Sequence, residues 1–234
     1  MSKSIALSII AVLVAAGAAT AQEAPGPIRG YAGGGLIAAQ PVGEFGDFID
    51  WGFGAGGHFV WNLDRSGALG VRVDGGFVNY GRERDRVCLS TAVGCRIEVD
   101  LTTTNDIAFA SIGPQIALPS GAVQPYANAS IGFSYFSTSS SVAGVDDNDD
   151  EFNTTNFDDV TFAWQAGAGL RVPVSMARVP VFIDAGARYN TNGSVEYLRQ
   201  GDIIDHPDGS IMLMPQRSDA DLVTYVIGVS IGIR

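Results

Sequence analysis

Trp51-Gly52-Phe53-Gly54-Ala55-Gly56-Gly57-His58-Phe59-Val60-Trp61-Asn62 decides the fold of this chain. Its odd positions carry Trp51, Phe53, Ala55, Phe59 and Trp61; its even positions are dominated by glycine. Side chains alternate between two faces in a strand and recur every 3.6 residues in a helix, so the pattern is a strand with one apolar face. Transmembrane strands run about 9–11 residues at a tilt, with aromatic rings at the two interfaces, and this stretch fits that length and that placement.

The same alternation recurs along the chain. Eight strands are expected, at about 30–39, 51–62, 68–81, 101–118, 125–137, 160–172, 181–189 and 222–233. The connections between them alternate. Residues 63–67, 119–124 and 173–180 are short turns; residues 40–50, 82–100, 138–159 and 190–221 are long loops. Short connections at one end and long ones at the other are the asymmetry of an up-and-down barrel set in a membrane.

Parity then sorts the side chains. One face collects Trp51, Phe53, Phe59, Trp61, Phe162, Trp164, Tyr225, Ile227, Val229, Ile231 and Ile233, which are expected to touch lipid. The opposite face collects His58, Arg72, Asp74, Asp106, Asn128, Gln165, Arg171, Asp184 and Arg188. Charges confined in a narrow lumen must be paired, and three acids with three arginines can form a lattice there. Glycines at 52, 54, 56, 76, 167, 169 and 186 share the inward parity and leave room for long arginine side chains.

Composition agrees. Charged residues make up 17% of the chain, against about 25% for a soluble domain. A sheet with one wet face would carry Lys and Glu on it. Here the less apolar face is mostly small residues, as expected if one face meets lipid and the other a crowded interior. Net charge is −11 and the only lysine is Lys3, so no basic stripe exists for nucleic acid. No stretch reaches 18 unbroken apolar residues, so no transmembrane helix is expected. The N-terminus has the form of a secretory signal peptide: Lys3, an apolar run from Ile5 to Ala18, and an Ala19-Thr20-Ala21 cleavage site. Residues 1–21 are therefore expected to be removed, leaving residues 22–234 as one barrel domain.

With these features the chain resembles the small eight-stranded outer-membrane barrels: the OmpA transmembrane domain, OmpX-like and opacity-type group, often labelled porin-like. The resemblance covers residues 22–234. It rests on the signal peptide, Gly30-Tyr31 opening the first strand, Gln40-Pro41-Val42-Gly43-Glu44-Phe45, Ile112-Gly113-Pro114 in the fourth strand, and the alternating last strand. It implies an all-β, eight-stranded antiparallel transmembrane barrel in a Gram-negative cell envelope, with short turns facing the periplasm and long loops facing outward. It also implies assembly machinery, outer-membrane lipid and lipopolysaccharide as partners. Members usually end in an aromatic residue; this chain ends Ile231-Gly232-Ile233-Arg234. No periplasmic peptidoglycan-binding domain is expected.

Candidate chemistry is sparse. Cys88 and Cys95 are expected to form a disulfide in an oxidising compartment, contributing about 2–3 kcal/mol at most. Asp146, Asp147, Asp149 and Asp150 form a dense acid run that could gather a calcium ion, but without EF-hand spacing; a solvated loop is the simpler account, and no metal is assigned. The two histidines, His58 and His206, have no serine beside them in sequence, and lipid-modifying enzymes on such a barrel need a serine, a base and an acid together. No catalytic residue and no cofactor are assigned. Arg82-Glu83-Arg84-Asp85-Arg86 tops the third strand and could meet lipopolysaccharide phosphates or simply be a solvated ridge. The expected function is that of a non-enzymatic, monomeric integral barrel serving envelope structure or surface recognition, with an extracellular ligand taken by its loops. Three alternatives compete: a narrow small-solute channel, a lipid-modifying enzyme, and a soluble lipocalin-type barrel.

Overall fold

The computed structural model describes residues 26–47, 49–88, 98–143, 152–197, 203–205, 211–214 and 216–234. The elements in chain order are β1 (Gly30–Pro41), a 3-10 turn (Gly43–Asp47), β2 (Gly52–Asn62), β3 (Leu69–Cys88), β4 (Glu98–Ala117), β5 (Gln124–Ala143), β6 (Phe152–Ser175) and β7 (Val181–Asn192). Four short strands follow: β8 (Ser194–Tyr197), β9 (Ile203–Asp205), β10 (Ile211–Leu213) and β11 (Gln216–Asp219). The last is β12 (Leu222–Ile233). β1 to β7 and β12 form one closed antiparallel barrel of eight strands. Closure comes from β1 pairing with β12, from Gly30 opposite Ile233 to Pro41 opposite Leu222. A closed ladder leaves no edge strand, so every wall backbone group can be paired without water.

The outer surface is apolar. Leu36, Phe53, Phe77, Ile131, Phe133, Phe162 and Ile227 are all more than half exposed. The aromatic residues cluster in pairs at the strand ends: Trp51 stacks on Tyr225 at 5.9 Å, and Phe59 lies against Trp61 at 6.4 Å. Soluble monomers rarely show continuous apolar surface on this scale; a bilayer is the solvent that suits it.

Two turns at the short-connection end are fixed by polar contacts. Asp64 accepts hydrogen bonds from the Leu69 and Ser66 backbone N–H groups and from the Ser66 hydroxyl, while Gly67 takes φ 74°. These bonds, the Ser66 hydroxyl foremost, hold the exposed Asp64 carboxyl below its ordinary value. A depressed carboxylate contributes stability above its unfolded pKa and loses it as pH falls through the folded one. Asp64→Asn should therefore destabilise the barrel at neutral pH, and the gap to wild type should close on acidification. A pH series of urea-unfolding midpoints checks this. At the same end Arg234 donates to the carbonyls of Ala177 and Arg178, clasping the β6–β7 turn.

The opposite end differs from the sequence expectation. Within the two segments expected as loops, residues 82–88, 98–100, 138–143 and 152–159 are strand: β3 and β4 stay paired out to Cys88 and Glu98, and β5 and β6 out to Val142 and Phe152. Residues 190–221 are not a polar loop alone. They carry β8 to β11, and Val195, Ala220 and Leu222 pack with Phe45, Tyr80, Ile107 and Phe136 in the mouth of the barrel. Phe45 is fully buried, edge-on to Tyr80 and Phe136.

Candidate functional site: the lumen and its charge lattice

The lumen is filled in layers. At the turn end Tyr31, Val60 and Phe182 pack together, with Tyr31 edge-on to Phe182 at 5.4 Å. Ile37, Ala39 and Val78 form an apolar layer further along, joined by Phe109 and Val226. The Phe45 cluster closes the outer mouth.

A charged cluster occupies the lumen, built by alternation on β2, β3, β6, β7 and β12. Arg72 donates from Nε to both oxygens of Asp74 at 2.9 Å, and its Nη2 lies 2.8 Å from Oδ1. Arg188 reaches the same Asp74 oxygen from β7 at 2.9 Å. Arg72 Nη1 also donates to Gln115 at 3.1 Å. Asp184 forms the second acidic centre. It accepts from the Tyr126 hydroxyl at 2.7 Å and from Ser230 at 2.9 Å, and Arg171 Nε lies 3.6 Å away.

Three guanidiniums thus face two carboxylates, and Arg171 is the member short of acceptors. Its Nε and Nη2 make no hydrogen bond, although the residue is only 2% exposed. It lies instead between two aromatic faces, 3.9 Å from the Tyr31 ring centroid and 4.9 Å from that of Tyr126. Ring quadrupoles stabilise a desolvated cation by about 2 kcal/mol each in favourable cases, which offsets part of the missing hydrogen bonding. Glycines make the space: a Cβ at Gly167 would sit 2.5 Å from Arg188 Cγ, and one at Gly169 2.4 Å from the Tyr126 ring.

The residues assigned to the lumen from sequence do not all meet. His58, Arg72, Asp74, Arg171, Asp184 and Arg188 form one cluster. Gln165 is buried elsewhere, bonded to Ser111 and Ser130, and the amide of Asn128, also buried, makes no hydrogen bond. Asp106 is a correction. It has the parity of the exposed Ala108 and Ala110, pairs with Asn79, and accepts from the Asn79 amide at 2.9 Å outside the lattice. The expectation failed because strand four was assigned the wrong phase, and a one-residue slip exchanges the two faces. Tyr31, Gln115, Tyr126 and Ser230 belong to the cluster but were not assigned to the lumen from sequence. Their inward parity was readable; their partners lie on other strands.

Folding does bring a serine to a histidine. Ser230 Oγ is 3.1 Å from His58 Nε2, and Asp184 Oδ2 is 3.5 Å from that same nitrogen. In a hydrolytic triad the imidazole bridges the two, with serine on one nitrogen and the acid on the other. Here both crowd Nε2, and the serine donates to the acid. Ser230 is 0% exposed. A Cβ on Gly33 would come within 2.6 Å of both His58 and Ser230. No acyl group can reach this hydroxyl, and the trio reads as packing.

Cys95, Asp146, Asp147, Asp149, Asp150, His206 and the signal segment 1–21 lie outside the described residues, so the disulfide and the acid run stay as sequence expectations. Among the described residues no group of three or more His, Cys, Asp or Glu side chains is placed to hold a metal. The outward parity set, Trp51, Phe53, Phe59, Trp61, Phe162, Trp164, Tyr225, Ile227, Val229 and Ile233, is exposed, with Ile231 half-buried.

No family model and no curated protein matches the chain. Solved structures with a similar course include Neisserial surface protein A, 13% identical over 88% of this chain and 97% of that one, with a TM-score of 0.43. Ail, the attachment invasion locus protein of Yersinia pestis, is 12% identical over 88% and 99%, with a TM-score of 0.42. OprG from Pseudomonas aeruginosa is 14% identical over 90% and 98%, with a TM-score of 0.46. The fold assignment stands on the closed ladder of this chain itself.

Proposed function

We propose that the chain is an integral outer-membrane barrel with a sealed lumen, working through its outer surface in envelope structure or surface recognition. Export with cleavage after Ala21 and insertion by the assembly machinery belong to this proposal, supported by the signal-peptide form and the apolar wall. The filled lumen carries the rest. Two voids lined by lumen residues measure about 30 and 20 Å³, and one water needs roughly 10–15 Å³ on that measure. Each void therefore holds a water or two and no larger solute. A permeant ion would have to pass the Phe45 cluster, the Ile37 layer and the paired Arg72, Asp74 and Arg188 in turn. Each paired charge that it displaced would be a buried ion left uncompensated, which costs several kcal/mol.

Planar-bilayer recording tests this. The expected trace is flat, with no stable step. Stable openings of porin size would overturn the sealed-lumen reading and favour a channel. Recovery of the protein as a soluble periplasmic monomer, with no mobility shift between unheated and boiled samples, would overturn the membrane placement.

A further inference from the structure

The buried charges of the lumen do not balance. Among the described residues Arg72, Arg171 and Arg188 are set against Asp74 and Asp184, and all five are more than nine-tenths buried. His58, neutral or protonated, supplies no negative charge. One guanidinium is therefore in excess inside a closed wall, where a buried ion without a counter-charge is strongly unfavourable.

The excess can be traced to one side chain. Arg72 is saturated, with Nε and Nη2 on Asp74 and Nη1 on Gln115. Arg171 is held between two tyrosine rings beside Asp184. Arg188 has a single ionic contact, Nη2 to Asp74 Oδ1, and Arg72 already holds that carboxylate. Among the described residues Nε and Nη1 of Arg188 donate to nothing. Nor does packing seal them, as it seals Nε and Nη2 of Arg171. Arg188 instead borders both lumen voids.

The two voids differ in charge. The smaller is walled by Asp74 and Asp184 as well as by Arg72 and Arg188. The larger, about 30 Å³, lies on the mouth side of Arg188, toward Asn190 and Asn192, and its wall has no carboxylate and no second cation. Register brings a further donor to it. Thr224 on β12 stands directly opposite Arg188 on β7, and directly opposed residues on one face have Cβ atoms about 5 Å apart. Thr224 Oγ1 accepts from the Asn190 amide at 3.0 Å, so its own proton is left to donate. On the far wall Ser111 Oγ accepts from Gln165 and likewise keeps its proton. Ile37, Val78, Phe109 and Val226 make the remaining wall apolar. A guanidinium and two hydroxyl protons thus face a small dry space that no carboxylate borders. The space has room for about two waters. A halide is a single atom not much larger than a water, so one halide and one water fill it. The water can donate to the Asn190 amide oxygen, which has no donor among the described residues.

We propose that the void bounded by Arg188, Thr224 and Ser111 is a halide site, holding a chloride ion that is captured when the barrel closes and that neutralises the excess guanidinium. This rests on the closed lumen and not on what the outer surface meets.

The test refolds the full-length chain from urea into detergent, in chloride or in gluconate, with ionic strength held constant. Urea unfolding is followed by tryptophan fluorescence. For one site present only in the folded state, the folded-to-unfolded ratio should rise about tenfold for each tenfold rise in chloride above the dissociation constant. R188Q leaves two guanidiniums against two carboxylates and should unfold with no chloride dependence. T224V keeps the excess cation but loses a donor, and should bind chloride about tenfold more weakly. R65Q, in the exposed β2–β3 turn, is the control and should keep the wild-type dependence. Crystals of wild type refolded in bromide should show an anomalous peak between Arg188, Thr224 and Ser111. A wild-type stability indifferent to chloride, a dependence that survives R188Q, or a bromide map with nothing but water in this void overturns the proposal. If R188Q fails to fold, the bromide map decides alone. Bilayer recording reports on sealing and these measurements on the ion, so the two readings can fail independently.

Discussion

Asp74→Ala should destabilise the barrel by about 3–5 kcal/mol, the cost of removing one partner from a buried ion pair. Asp74 is 2% exposed and binds two guanidiniums at once, Arg72 on its own strand and Arg188 from β7. Removing it leaves both cations in the lumen with Asp184 as the remaining carboxylate of the cluster, and that oxygen pair is already shared among Tyr126, Ser230 and Arg171. The void beside the cluster is about 20 Å³, room for a water or two, so solvation offers little relief. Urea unfolding in lipid vesicles, followed by tryptophan fluorescence, measures the loss. Asp106→Ala is the matched control. Its carboxylate lies outside the lattice with one amide donor, and its removal should cost about 1 kcal/mol or less. Equal losses at the two positions would mean that the cluster is not a coupled lattice.

The second large effect is on the opposite face. Ile227 is 62% exposed at the middle of β12, between Ala185 on β7 and Leu36 on β1. Arginine near the bilayer midplane of a barrel costs about 2–4 kcal/mol. Ile227→Arg should lose that much in vesicles and far less in detergent, where the guanidinium reaches water easily. The dependence on lipid is the diagnostic part, because a packing defect would persist in both media. Gly228→Ala one residue later should destabilise in both. Its Cβ would sit 2.2 Å from the Gly34 carbonyl oxygen of the neighbouring strand, and backbone cannot yield. A neutral Ile227→Arg in lipid would show that this wall does not face hydrocarbon.

Strand number and the apolar wall were legible because each depends on a local period of two, and that period is intact where each long strand forms the wall. The inward positions of His58, Arg72, Asp74, Arg171, Asp184 and Arg188 followed from the same period. Their partners did not. Alternation says that Arg72 and Asp184 point inward, but not that Asp74 takes two arginines while Arg171 settles between Tyr31 and Tyr126. Those choices depend on the register between strands far apart in sequence and on the space left by Gly167 and Gly169. Asp106 was misplaced because alternation gives two phases and a polar segment such as Thr102 to Asn105 offers no apolar residue to choose between them. The same polarity made residues 82–88, 98–100, 138–143 and 152–159 look like loop: hydroxyl-rich strands lack the apolar face by which strands are recognised, and only pairing across β3 to β6 shows them as sheet. The bulges at Asn79/Gly81 and Thr138/Ser139, which turn Arg82, Arg84 and Thr155 outward, have no local signature at all. An inserted residue in one strand is defined only against the partner it fails to match, so the sequence determined the barrel and its two faces, while tertiary pairing decided which residues meet inside it and what it offers outside.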